Sequence, residues 1–335
     1  MITRTRYLVS EFIGAKEDEI VFTNNTTDSL NKLVIGFFEN YLTEGDEVLL
    51  TKSEHASNVL PWFELQKRKN IVINYIPLDE NLTVTIDNVK KTISNKTKVI
   101  SLAHVTNVIG DERPIKEIAS LAHSKNILVV CDGAQSVPHK KIDVKDLDVD
   151  FLAFSAHKML GPTGIGVLYG KEEYLKQFSP VIVGGGMNIT FTYDGTVTYS
   201  DIPFFLEAGS PNVAGIIAFG NSIKYLNDVG MDKIENYVLN LRRYALSKLE
   251  EIGEIEIYNK NIDTSIITFN YKGISSTDLA LHLNKYNICV RAGTHCAKIL
   301  KDELGSNDTC RISLYLYNTK EEIDYLINIL KNITC

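Results

Sequence analysis

Between Glu19 and about Gly170, short apolar runs alternate with longer stretches in which apolar residues recur every three or four positions. The runs EIVFT, EVLLT, IVINYIP, KVISLAH, ILVVCDG, DFLAFSA and GIGVLYG have strand length and are rich in Val, Ile and Phe. TDSLNKLVIGFFENYL and PIKEIASLAHSKN have helical spacing, and the second puts Ile115, Ile118, Ala119 and Ala122 on one face. Strands alternating with helices predict an α/β domain, helix over sheet, with a largely parallel sheet. Residues 181–214 break this rhythm with Gly184-Gly185-Gly186 and many Thr and Tyr residues, which predicts irregular loop and hairpin structure. A long helical segment follows from about Ile216 to Glu251. Strand-like SIITFN, helical SSTDLALHLNKYN, strand-like ICVRA and a closing helix with the capping box Thr319-x-x-Glu322 then predict a compact α+β unit. The boundary is placed near residue 222, giving a large domain over 1–222 and a small one over 223–335.

With 335 residues, 44% apolar and 23% charged, the chain can bury a sizeable core, which excludes disordered, collagen-like and coiled-coil readings. No apolar run approaches the roughly 20 residues a spanning helix needs. The net charge of -7, without runs of like charge, argues against nucleic acid and anionic lipid and points to small-molecule partners. The five cysteines, Cys131, Cys289, Cys296, Cys310 and Cys335, are odd in number and lack the spacing of a zinc site or disulfide framework. Free thiols in a reducing cytosol are expected, with no metal. The apolar stretch at the N-terminus is interrupted by Glu11 and makes a poor export signal, so a cytoplasmic location is expected. The internal KDEL at 301–304 and the Asn-x-Thr sequons carry no weight without one.

Several loop-facing segments carry chemistry. Asp150-Phe-Leu-Ala-Phe-Ser155-Ala-His157-Lys158 ends an apolar strand in a lysine and runs into the glycine-rich turn that ends at Gly166, placing an amine where open α/β sheets bind ligands. The glycines form neither a Walker loop nor a dinucleotide fingerprint. A second strand, Ile127-Leu-Val-Val-Cys131-Asp132, ends in a carboxylate. Together Asp132 and Lys158 meet the needs of a pyridoxal 5'-phosphate site, in which an aspartate keeps the ring nitrogen protonated and a lysine forms the imine. Taken singly, they read as a helix cap and a surface lysine. Asn24-Asn25-Thr26-Thr27-Asp28 lies between a strand and a helix, where hydroxyls and free N–H groups meet an anion, or where they simply cap.

In Val290-Arg291-Ala-Gly-Thr-His295-Cys296-Ala297, a thiol follows a histidine in a polar loop with an arginine five positions upstream. Cys296 is the candidate nucleophile, accessible and near positive charge. The strand-borne Cys131 and Cys289 fit small buried hydrophobes better. Arg311 opens an apolar strand in the small domain, where its fork suits an amino-acid carboxylate or a structural ion pair.

On these segments, in this order from about residue 6 onward, the chain resembles the class V aminotransferase family of fold type I pyridoxal phosphate enzymes, and within it the SufS-like group of cysteine desulfurases and selenocysteine lyases. The resemblance implies a large domain with a mainly parallel seven-stranded sheet sandwiched by helices, plus a small C-terminal α+β domain. It implies that Thr26, Thr27, Ser155 and His157 hold the phosphate, that His55 stacks on the ring with a catalytic role, and that Asn107 lies by the ring hydroxyl. Gln135 would meet the ring oxygen, Asp132 the ring nitrogen, and Lys158 would carry the cofactor. Ser210 matches a family Thr that reaches the neighbouring subunit's phosphate, which implies a homodimer. Arg311, Asn107 and Arg291 would bind substrate. The short Arg-x-Gly-x-His-Cys-Ala loop is similar to that of the SufS-like group and implies that L-cysteine, or L-selenocysteine, yields alanine while Cys296 takes the sulfur as a persulfide. An acceptor protein or reductant then removes it, with iron–sulfur cluster assembly as the family's setting.

The chain begins after the family's N-terminal arm, lacks an acidic residue in Gly184-Gly-Gly-Met-Asn188, and has Phe205-Leu206-Glu207 where the family often has Arg-Phe-Glu. Either Met1 is the true start and the site is more open, or the chain is a shortened product. Two other readings stay open: a different class V enzyme, such as an aminotransferase, epimerase or C–S lyase, in which Cys296 is dispensable, and a scaffold impaired by loss of the arm.

Overall fold

Strands β1 (Ile20–Thr23), β2 (Glu47–Leu50), β3 (Val72–Tyr75), β4 (Thr97–Ala103), β5 (Leu128–Asp132), β6 (Phe151–Ser155) and β7 (Gly166–Gly170) form one sheet in the order β1-β7-β6-β5-β4-β2-β3 in the computed structural model, which describes residues 1–333. From β6 to β3 every neighbouring pair is parallel, whereas β7 runs antiparallel to both β1 and β6. The helices around it are α1 (Ile2–Ile13), α2 (Thr26–Leu33), α3 (Ala56–Lys69), α4 (Ile115–His123), α5 (Val213–Val229) and α6 (Met231–Leu249).

Both faces of this sheet are covered, which is why its central strands read as continuous apolar runs. In β5, Val129 and Cys131 join one core with Ile118 and Ala122 of α4 and Phe219 of α5. Leu128 and Val130 point the other way and share a second core with Leu30 and Leu33 of α2 and Trp62 of α3. The period of two thus assigns each residue to a layer. α1 forms from the stretch weighed above only as an export signal; its Val9, Phe12 and Ile13 fall on one helical face and enter the first core.

The chain crowds closely at the sheet's C-terminal edge. Thr23, Gly166 and Ser155 lie abreast in β1, β7 and β6. A side chain on Gly166 would meet the backbone of Asn25 at 2.5–2.7 Å, so a glycine there lets the turn before α2 close over the sheet.

The helical segment expected from Ile216 to Glu251 is two helices. α5 ends at Gly230, whose φ of 92° is open to glycine at little cost, and α6 starts at once. Residue 222 lies within α5. Strands β8 (Asn188–Phe191) and β9 (Val197–Tyr199) make the expected hairpin, with Ile189, Phe191 and Tyr193 exposed. Beyond α6, β10 (Ile255–Ile257), β11 (Ile266–Tyr271), β12 (Arg291–Gly293) and β13 (Thr309–Ser313) form an antiparallel sheet in the order β10-β11-β13-β12. Helices α7 (Ser276–Asn284) and α8 (Lys320–Lys331) pack with it, and their Leu279, Leu283, Ile323 and Leu326 belong to the first core of the large sheet. The expectation for ICVRA is corrected here: only Arg291–Gly293 pairs, so Cys289 falls outside any strand and is exposed rather than buried. Cys131 and Cys310 are buried, and Cys335 lies outside the described residues. No helix among the described residues is long and apolar enough to cross a membrane.

Candidate functional site

A cavity of about 340 Å3 opens at the C-terminal ends of β5 and β6, beneath the loop that follows β12. Every residue singled out in the sequence lines it except Ser210: Thr26, Thr27, His55, Asn107, Asp132, Gln135, Ser155, His157, Lys158, Arg291, Cys296 and Arg311. Ser210 is exposed in the loop before α5 and does not reach this chain's pocket. Asn25, from the turn expected to meet an anion or to cap, also lines it, as does Ser57, which was not anticipated. Asn25 is the N-cap of α2, accepting from the Asp28 N–H at 2.9 Å. Ser57 bonds the Thr27 hydroxyl at 2.7 Å; a hydroxyl two residues after His55 was the available signal.

At one end of the cavity, α2 begins with its hydroxyls aligned. The Thr26 N–H donates to Ser155 Oγ at 2.8 Å and the two hydroxyls lie 2.6 Å apart. With Thr27 and Ser57, this makes a cluster of four hydroxyls at a helix N-terminus, the donor set an oxyanion takes. His55 caps α3, its Nδ1 accepting the Ser57 N–H at 3.1 Å, which leaves the ring proton on Nε2. Burial pushes His55 down to about 4, helped by the cations of Lys158, Arg291 and Arg311, so the ring is neutral at pH 7.

Asp132 ends β5 only 4% exposed, and its Oδ1 accepts the Ala134 N–H at 2.9 Å. Burial raises its carboxyl to about 6, against the pull of Lys158. Lys158 follows β6 in a short turn, and burial lowers its amine below the usual lysine range while Asp132 opposes the shift. A buried carboxylate with one hydrogen bond and an amine with lowered basicity form an unfinished pair, suited to a group that brings its own positive charge. Asn107 adds a second unfinished contact, since its buried Oδ1 has no partner. Four hydroxyls, a lone carboxylate, a neutral imidazole and a buried lysine of lowered basicity fit a phosphorylated pyridine aldehyde, and pyridoxal phosphate meets all four requirements.

The opposite wall comes from the small sheet. Arg291 and Arg311 are directly opposed across β12 and β13, where like charges repel. Burial, and the charge of Arg291, bring Arg311 down to about 10. Arg311 donates from Nη1 to the Asn107 carbonyl at 2.7 Å and from Nε to Ser313 Oγ at 3.0 Å. Arg291 Nη2 lies 3.3 Å from Cys296 Sγ. Cys296 is exposed, and His295 and Cys296 are both left-handed, with φ of 51° and 60°. Two successive non-glycine residues in that region are strained and must be held from outside. Asn107 Nδ2 donates to the His295 carbonyl at 2.7 Å, and His295 Nε2 meets Thr309 Oγ1 at 2.9 Å. Among the described residues no group of three or more His, Cys, Asp or Glu is placed to hold a metal ion.

The sequence matches the family described as Aminotransferase class-V over residues 1–326. It is 43% identical over 323 residues to a protein of Halalkalibacterium halodurans named "Probable cysteine desulfurase", covering 96% of this chain and 79% of that one. The fold superposes on the crystal structure of the cysteine desulfurase CsdA (S-sulfonic acid) from Escherichia coli with a TM-score of 0.95 at 34% identity, covering 98% of this chain and 82% of the other. The apo structure of a cysteine desulfurase from Thermococcus onnurineus gives 0.94 at the same identity and coverage.

Proposed function

Since the chain belongs to the class V aminotransferase family, we propose that it is a pyridoxal phosphate-dependent cysteine desulfurase that converts L-cysteine to L-alanine and holds the sulfur as a persulfide on Cys296. The observation that carries this reading is the exposed Cys296 thiol, 3.3 Å from a guanidinium, over the same cavity as Lys158 and Asp132. An aminotransferase or epimerase has no use for a thiol there.

Thr26, Thr27, Ser155 and His157 would hold the phosphate, with Gln135 at the ring oxygen, Asp132 at the ring nitrogen and Lys158 at the aldehyde carbon. The bound cofactor supplies an electron sink that acidifies the Cα–H of the amino acid and loosens its C–S bond. Lys158, whose basicity burial lowers below the usual lysine range, takes the Cα proton and returns a proton to the product carbon. Arg311 and Arg291 bind the substrate carboxylate, and this offsets their mutual repulsion. Neutral His55 supports the ring face without adding charge. The Cys296 thiolate attacks the substrate sulfur, the carbon–sulfur bond breaks toward carbon, and alanine leaves as Cys296–S–SH forms. One thiol and one cysteine become one alanine and one persulfide, so no external oxidant is required.

The large domain runs to about residue 222 and the small domain, with the thiol loop, follows it. Two copies complete the site, each giving Ser210 to the other's phosphate end. Support for the pairing comes from the exposed apolar residues Val181, Ile182, Val183, Ile189, Phe191, Tyr193 and Phe204, which fall within one stretch of the chain. Cytoplasmic sulfur delivery to an acceptor protein, for iron–sulfur assembly, is the role this chemistry suits.

The test is purified protein with pyridoxal phosphate, L-cysteine and a reductant, measuring alanine and sulfide together in wild type and in Cys296→Ala. Equal amounts of both products, lost in the variant while the cofactor stays bound, support the reading; full turnover by Cys296→Ala would sink the persulfide step.

A further inference from the structure

Under the cavity lies a charged cluster that the reaction above leaves unused. The side chains of Glu54, Asp111 and Arg113 expose 0%, 1% and 0% of their surface. A buried arginine has five N–H donors to satisfy, and Arg113 satisfies them all within the protein. Nη1 donates to Glu54 Oε1 and to the Ala103 carbonyl at 3.3 Å, Nη2 to Thr51 Oγ1 at 2.8 Å and Ser53 Oγ at 2.7 Å, and Nε to Asp111 Oδ2 at 3.4 Å. Glu54 is saturated as well: Oε1 accepts the Thr51 hydroxyl, and Oε2 accepts Asn58 Nδ2 and the Ala103 N–H, each at 2.8 Å. Desolvating such a cluster costs about what its attractions return, so apolar packing would serve stability equally well. Its value lies in what it fixes in place.

Three segments meet on this guanidinium. Glu54 is the residue before His55, and Asn58, bound to Glu54, donates its own N–H to the His55 carbonyl at 2.8 Å. Arg113 closes the turn from 104 to 113 by donating its N–H to the His104 carbonyl at 2.8 Å, and Asp111 accepts the hydroxyl of Thr106, the neighbour of Asn107. His104 in turn donates its N–H to the Asp132 carbonyl at 3.0 Å. The Arg113 side chain therefore connects the residue that would cover the ring face and the one beside its hydroxyl, and it reaches the one at its nitrogen through Ala103, whose carbonyl accepts from Nη1 and which lies opposite Asp132 in the pairing of β4 with β5.

We propose that Arg113 is a positioning residue for the cofactor ring, a buried strut that holds His55, Asn107 and Asp132 at fixed spacing without touching the cofactor. The proposal rests on the pyridoxal phosphate reading above. Lysine cannot replace the strut, because three donors on one nitrogen do not span a fork that reaches five partners. The cluster also sets the field at Asp132, where the Glu54 carboxylate and the Arg113 cation act in opposite directions.

The experiment compares wild type with Arg113→Lys, with the charge-free pair Arg113→Met plus Glu54→Gln, and with the milder Asp111→Asn, which removes only the carboxylate between Arg113 and Thr106. Folding is read from Trp62, the only tryptophan and 1% exposed on α3, in the apoenzyme. Cofactor position is read from the dissociation constant for pyridoxal phosphate and from the circular dichroism induced in its visible absorption. In variants that fold, the strut predicts affinity weakened about tenfold, because a charged hydrogen-bond array has been cut. It also predicts that roughly half or more of the induced signal is lost, because the ring has tilted. Asp111→Asn, the mildest cut, decides the matter should the others precipitate. A folded variant that binds within about twofold of wild type, with unchanged induced dichroism, overturns the strut. A wild type that takes up no pyridoxal phosphate overturns the functional reading itself, a separate result.

Discussion

The backbone N–H of Ala56 donates to the carbonyl of Cys296 at 2.7 Å, so the residue after His55 holds the candidate nucleophile directly. The Asn107 bond to the His295 carbonyl makes this a two-point clamp on a left-handed dipeptide. Asn107→Asp replaces the donor with an acceptor facing a carbonyl. Sulfur transfer should fall by about 1–3 kcal/mol in activation terms, roughly 5- to 150-fold. Mass spectrometry of the Cys296 persulfide in a single turnover, beside the cofactor absorption, separates a loosened loop from a lost cofactor.

Arg311 already commits Nε and Nη1 to Ser313 and Asn107, so its contribution to an incoming carboxylate depends on the rest of the fork. Arg311→Lys keeps charge and loses that geometry. KM for L-cysteine should rise about tenfold or more, with kcat changing less. A steady-state series would refute the assignment if kcat alone fell.

Asp132 makes the apoenzyme pH-dependent in an unusual direction. Its carboxyl is raised to about 6, above the unfolded value near 3.8, so the unfolded chain gives up its proton first as pH rises. Stability from this group is complete below pH 3.8 and is lost as pH climbs through about 6, a change of about 3 kcal/mol. Apo Asp132→Asn should therefore be more stable than apo wild type at pH 7, the gap closing toward pH 4. Urea melts at pH 4.5, 5.5 and 7 measure it, and a gap independent of pH would contradict the argument.

The hairpin of β8 and β9 exposes Ile189, Phe191 and Tyr193. In the proposed dimer, a charge there, as in Phe191→Asp, should shift the protein toward monomer and weaken pyridoxal phosphate binding, because the Ser210 proposed to reach across would leave with the partner. Sedimentation at equilibrium gives the mass, and a variant that stays dimeric would place the contact elsewhere.

Much of this was legible along the chain, and what was not has physical causes. Asp132 and Lys158 could be located because each ends an apolar strand, and strand ends in α/β sheets face one rim. Cys289 was misread because ICVRA looks like a strand, whereas pairing begins only at Arg291. The break at Gly230 was missed because the helical period continues on both sides of it. α1 hides Val9, Phe12 and Ile13 in a stretch that was weighed only as an export signal. Arg113 gave no signal at all: its partners Thr51, Ser53 and Glu54 lie about 60 positions away, brought beneath it by the parallel pairing of β2 and β4.

In the small sheet, β12 pairs only with β13 among the described residues. Thr26, His55, Asp132 and Lys158 leave the ribosome first, and the parallel half of the pocket can assemble while synthesis continues. Arg291 and the loop behind it have no partner strand until Thr309–Ser313 has emerged. Arg291, Cys296 and Arg311 are thus set in place together and last, after the strand ends that carry Asp132 and Lys158 have been made.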